Sequence, residues 1–118
     1  MKSPYNFKNI KKFTQGLIVT SLLYSTIIYA GTPVIKIAIR DHLFFPSEIV
    51  IPANTKVKIL VENHDPTPEE FESYELNREK VIAGNSKTVI YVGPLPPGNY
   101  PFFGEFFPRT AQGTVIVK

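Results

Sequence analysis

The chain has 118 residues, with 13 Lys and Arg against 10 Asp and Glu, no Cys, no Trp and a single Met. That length accommodates one small domain. The absence of Cys excludes disulfide frameworks, thiolate zinc sites, iron–sulfur centres and thiol nucleophiles.

The positive net charge comes from one end. Lys2, Lys8, Lys11 and Lys12 precede an apolar run from Gly16 to Ala30, with no acidic residue among them. A basic stretch, an apolar stretch and a small residue form the pattern of a secretory signal helix, here residues 1–30, with cleavage after Ala30. The alternative is an uncleaved anchor. The run is short for a spanning helix, which needs roughly 20 apolar residues. Without residues 1–30 the chain keeps nine basic and ten acidic residues. This balance leaves no electrostatic footprint for a polyanion, so nucleic acid is not expected as a partner. Residues 31–118 are expected to be an exported domain, and export without Cys fits the periplasm of a bacterial envelope.

From Pro33 onward the pattern is all β. Val34–Ile39 and Ser47–Ile51 are short runs rich in β-branched residues, and Lys56–Asn63 starts with polar/apolar alternation. Lys87–Val92 and Thr114–Lys118 read as further strands. Pro46, Asn54, Pro66, Pro68, Gly84-Asn85, Gly93-Pro94 and Pro96-Pro97-Gly98 supply turns between them. Arg40–Ser47 reads as a loop, and Asn77–Ala83 has room for one helical turn. Short strands at this spacing predict a Greek-key β-sandwich.

Three segments hold residues capable of chemistry. In Asn63–Leu76, Glu69, Glu70, Glu72 and Glu75 crowd together, and in an extended strand Glu70 and Glu72 share one face. Carboxylates so placed repel unless a cation lies between them. They mark either an oxygen-ligand cation site or a charged strand edge that resists association. In Gly98–Val117, Phe102, Phe103, Phe106 and Phe107 cluster around a lone acid, Glu105, which either pairs with Arg109 or serves as a ligand. His42 and His64 are the only imidazoles. No nucleophile, phosphate-loop or zinc-protease motif is present, so no enzymatic activity is expected.

These residues resemble the cupredoxins. Tyr100-x-Phe102, a loop and Gly113–Val117 match that family's C-terminal framework, and Asn63–Phe71 is similar to the stretch carrying its first copper-binding His. Ile39–Ser47, Pro68–Ser73, Gly93–Gly98 and Gly104–Gly113 are more particularly similar to small periplasmic cupredoxin domains associated with bacterial iron uptake. On this resemblance Glu70 stands where a blue-copper protein has its first His, Gly104 where it has Cys, Phe107 where it has its second His and Gln112 where it has the axial Met. Blue-copper electron transfer requires the thiolate and is therefore excluded.

The resemblance implies an exported cupredoxin-like domain over residues 31–118. It would bind a transition metal, iron or copper, as an accessory to envelope metal uptake. Glu70 and Glu105 would be the ligands across the end of the sandwich, with His42 as a third. Glu72 and Arg109 would orient them. The implied partners are the metal ion and an inner-membrane iron-transport component, with membrane contact only through an uncleaved N-terminus. The alternative is a metal-free interaction module docking a protein through Phe103, Phe106 and Phe107, with Glu105 and Arg109 as a polar rim.

Overall fold

A computed structural model describes residues 31–118; the expected signal helix lies outside the described residues. Nine strands follow: β1 (Val34–Arg40), β2 (Leu43–Phe45), β3 (Glu48–Ile51), β4 (Val57–Asn63), β5 (Glu69–Ser73), β6 (Arg78–Ile82), β7 (Ser86–Val92), β8 (Gly98–Gly104) and β9 (Gln112–Val117). They form a four-stranded sheet in the order β2-β1-β4-β7 and a five-stranded sheet in the order β3-β9-β8-β5-β6. The first pairs β1 with β4 in parallel, and the second pairs β3 with β9 in parallel. The all-β sandwich expected from the turn spacing is thus present.

Each sheet buries one face. Ile37, Ile39, Val57, Ile59, Val61, Ile90 and Val92 point inward from the first sheet and meet Ile49, Ile51, Val115 and Val117 of the second. Three phenylalanines join the two layers. Phe71 and Phe102 stack with ring centroids 4.8 Å apart, and Phe44 meets Phe102 edge-on at 5.0 Å. Edge-on and offset contacts suit the ring quadrupoles and add to the apolar area buried. Phe102 also forces the residue facing it to be small: a Cβ on Gly113 would lie 2.2 Å from the Phe102 Cζ atom.

Two segments differ from the sequence expectation. Arg40–Ser47 is not simply a loop. Asp41 and His42 both adopt positive φ (50° and 62°), making the two-residue turn that lets β2 fold back on β1. The Asp65 carboxylate accepts the N–H of Asp41 at 2.8 Å and that of His42 at 2.9 Å, holding this left-handed backbone from a distant loop. Asn77–Ala83 holds a strand, not a helical turn: β6 pairs antiparallel with β5. It is an edge strand exposed along four of its five residues, so its polar composition hides its pairing.

Phe102→Ala should lower unfolding free energy by about 3–5 kcal/mol in urea denaturation. A loss below about 1 kcal/mol would show that the phenylalanine trio is not the joint between the sheets.

Candidate functional site

β5 determines where the acids go. Its burial alternates, with Glu69, Phe71 and Ser73 inside and Glu70 and Glu72 outside. This is the ordinary two-residue period of a strand, and it separates neighbouring carboxylates by the thickness of the sheet.

Glu69 is 1% exposed and lies between the sheets. Its Oε1 accepts the N–H of Glu70 at 2.8 Å and the N–H of Phe106 at 3.0 Å, which ties β5 to the loop between β8 and β9. Its Oε2 is buried without a hydrogen-bond partner among the described residues. The carboxyl group occupies the space that a side chain at position 104 would need. A Cβ on Gly104 would lie 2.7 Å from the Glu69 Cδ, 2.9 Å from its Oε2 and 2.8 Å from the Ala111 Cβ.

Two of the positions assigned by resemblance, Glu70 and Gln112, do not face Gly104. Glu69, not Glu70, points to the side chain missing from Gly104. Ala111, fully buried, faces the same point, while Gln112 turns outward and donates its Nε2 hydrogen to the Pro108 carbonyl at 3.1 Å. Phe107 stacks on His42 with ring centroids 3.8 Å apart and is 40% exposed. Gly104, Ala111 and Phe107 offer no donor side chain, and the remaining carboxyl already fills the volume. The residues do not fit a copper ion at that position.

On the outer face, carboxylate oxygens of Glu70, Glu72 and Glu79 come within 4.8 Å of one another. Glu72 and Glu79 are directly opposed across β5 and β6. The Glu79 carboxyl, by hydrogen bonding to the protonated form, followed by desolvation and the charges of Glu79, Glu72 and Glu105, raises the Glu70 pKa to about 7. The Glu72 carboxyl is also raised, by desolvation and then by Glu79 and Glu105. Among the described residues no Lys or Arg forms an ion pair with these acids.

Of the residues singled out from sequence, Glu70 and Glu105 are electrostatic neighbours, and the Glu105 N–H donates to the Glu70 carbonyl at 2.9 Å. Glu72 belongs to the carboxylate group itself. His42 does not join it: its ring lies on Phe107, and its Nδ1 is 3.8 Å from Asp65. Arg109 is exposed and makes no ion pair with Glu105 among the described residues. His64 faces Glu62 at 3.4 Å. The sequence shows Glu69 only as one of several crowded acids, without its buried place, and does not single out Glu79. Strand parity through the apolar Phe71 could have revealed the first. The second sits on the strand read as a helical turn.

A sandwich of this topology in a chain without Cys defines the class. A model of the cupredoxin-like domain matches residues 15–117, and the chain belongs to that family. A relative in Rickettsia prowazekii (strain Madrid E), the uncharacterized protein RP394, is 45% identical over 84 residues, covering 71% of this chain and 67% of that one. Two solved structures share the fold. One is the metal-binding domain of the Cu(I)-exporting P-type ATPase CopA of Streptococcus pneumoniae D39, with a TM-score of 0.68 at 18% identity over 78% of this chain and 91% of that one. The other is auracyanin A, a blue copper protein of Chloroflexus aurantiacus, with a TM-score of 0.63 at 14% identity over 75% of this chain and all of that one.

Two measurements test this arrangement. Gly104→Ala should cost about 1–3 kcal/mol because the new methyl group meets the Glu69 carboxyl. In a Glu69→Ala background that cost should shrink; additive costs in the double-mutant cycle would show that the two do not share the space. For Glu70, folding holds the proton more tightly than the unfolded chain does. Its contribution to stability is full below about pH 4.5 and is lost as pH rises toward 7. Replacing Glu70 by Gln should therefore raise Tm more at about pH 7.5 than at about pH 4. Equal shifts at both would show that the acids do not repel.

Proposed function

We propose that this cupredoxin-like domain is an exported metal-handling protein that binds iron or copper through carboxylates, as an accessory to envelope metal uptake. The observation that carries this reading is the convergence of Glu70, Glu72 and Glu79, with Glu105 adding to their field and no basic side chain neutralising them among the described residues. A cation among these three carboxylates relieves their mutual repulsion. Oxygen-only ligands suit iron or Cu(II) better than Cu(I), which prefers sulfur. Copper-binding neighbours of the same fold support the general role, while the chemistry of the ligands differs from theirs. The protein is not a blue-copper electron carrier, and it is not an enzyme. Its partner would be an inner-membrane iron-transport component.

One observation favours the second reading, a metal-free docking module. Glu69 fixes the loop after β8 without a metal, and that loop presents Phe106 and Phe107 at 47% and 40% exposure. Phe103 is not equivalent to them, because it is half-buried and leans on Tyr74 with centroids 5.6 Å apart.

Calorimetric titration of residues 31–118 with Fe(II), chelated Fe(III) and Cu(II) distinguishes the readings. Metal binding should weaken about tenfold or more in Glu72→Gln and in Glu79→Gln, a change of about 1.4 kcal/mol or more. Glu75→Gln should leave it unchanged. No binding tighter than millimolar would leave the docking module ahead.

A further inference from the structure

The two outer faces of the sandwich carry opposite charge. In the five-stranded sheet the outward positions include Glu48, Glu70, Glu72 and Glu79 and no basic residue. In the four-stranded sheet they include Lys36, Arg40, Lys58 and Lys87, with Lys56 entering β4, against one acid, Glu62. The register forms rows across this second face. Val34, Lys58 and Tyr91 lie side by side, then Lys36, Leu60 and Val89, then Phe45, Ala38, Glu62 and Lys87.

Apolar side chains are exposed between these cations. Val34 is 55% exposed, Phe45 50% and Tyr91 44%. Lys56 Nζ stands 4.7 Å from the centre of the Tyr91 ring, and Lys58 Nζ stands 5.8 Å from it. The cations are spread over three strands and stand among aromatic and branched side chains. This is the composition of a surface that meets a broad anionic plane: ammonium groups reach phosphates while their stems and the aromatic rings settle among headgroups.

We infer that the outer face of the four-stranded sheet docks on an anionic lipid bilayer. Charge complementarity selects this occupant, and the opposite face strengthens the choice. Residues 31–118 carry nearly balanced charge, nine basic and ten acidic residues, so a bilayer does not attract the domain by net charge. It orients the domain instead, drawing the lysine face in and turning the carboxylate face outward. Docked this way, Glu70, Glu72 and Glu79 stay open to solvent.

All the strands and core residues described lie between Val34 and Val117, and residues from Thr32 onward cluster as one compact unit, so residues 31–118 serve as the domain for the test. The domain should co-sediment with vesicles of phosphatidylcholine and phosphatidylglycerol at low salt but not with phosphatidylcholine alone, and high salt should release it. Lys36→Gln and Lys58→Gln should each weaken the partitioning about fivefold. Tyr91→Ser should weaken it with no change of charge. Lys80→Gln makes the same charge change on β6 of the other sheet and should alter it less than about twofold. Binding that ignores lipid charge, or equal losses in Lys36→Gln and Lys80→Gln, would overturn the proposal. Equal affinity for duplex DNA, with the same variants weakening both, would overturn the assignment to lipid in favour of any polyanion.

Discussion

The alternation of β5 across its sheet is the constraint on which the rest of this molecule depends. Adjacent residues on a strand point to opposite faces. Glu69 therefore enters the core while Glu70 joins the outer acids. A shift of one residue would put Phe71 in water and two carboxylates in the core, a change far costlier than any local adjustment. The apolar ring thus determines which acid becomes structural and which stays available.

Inside, the Glu69 carboxyl and Gly104 form one unit. Absence of a side chain at 104 opens a space, and the carboxyl fills it while capping the N–H of Phe106. A buried carboxyl with an unpartnered Oε2 has a cost, which the two hydrogen bonds at Oε1 offset. The consequence is a loop tied to β5 by a hydrogen bond from its own backbone. The β1–β2 turn reaches the same end, because Asp65 fixes His42 and His42 stacks on Phe107. Outside, the opposite logic holds. Glu70, Glu72 and Glu79 repel one another on a rigid sheet and cannot relax apart as side chains on a loop could. These carboxylates lie on the face turned away from the lysines.

Much of this was legible from residue order. The β-branched runs that became β1, β3, β4, β7 and β9 announced themselves because each buries one face or both, and burial selects branched apolar residues. The shared face of Glu70 and Glu72 followed from strand periodicity alone. β6 was not legible, since an edge strand with four exposed residues needs no apolar pattern and takes its pairing from β5. β2 was obscured by a turn that looks like loop chemistry and works only because a carboxylate from another segment holds it.

Composition determined the absence of thiolate chemistry, and spacing determined an all-β domain with acids on one strand. Those properties depend on residue identity and on neighbours close in the chain. Which acid sits in the core, that Glu79 joins Glu70 and Glu72, and that lysines and glutamates part to opposite faces were decided only by tertiary structure. Near-balanced net charge concealed that separation entirely. The reason is physical: sheet register brings together residues distant in sequence, and neither charge totals nor local periodicity contains the pairing of one strand with another.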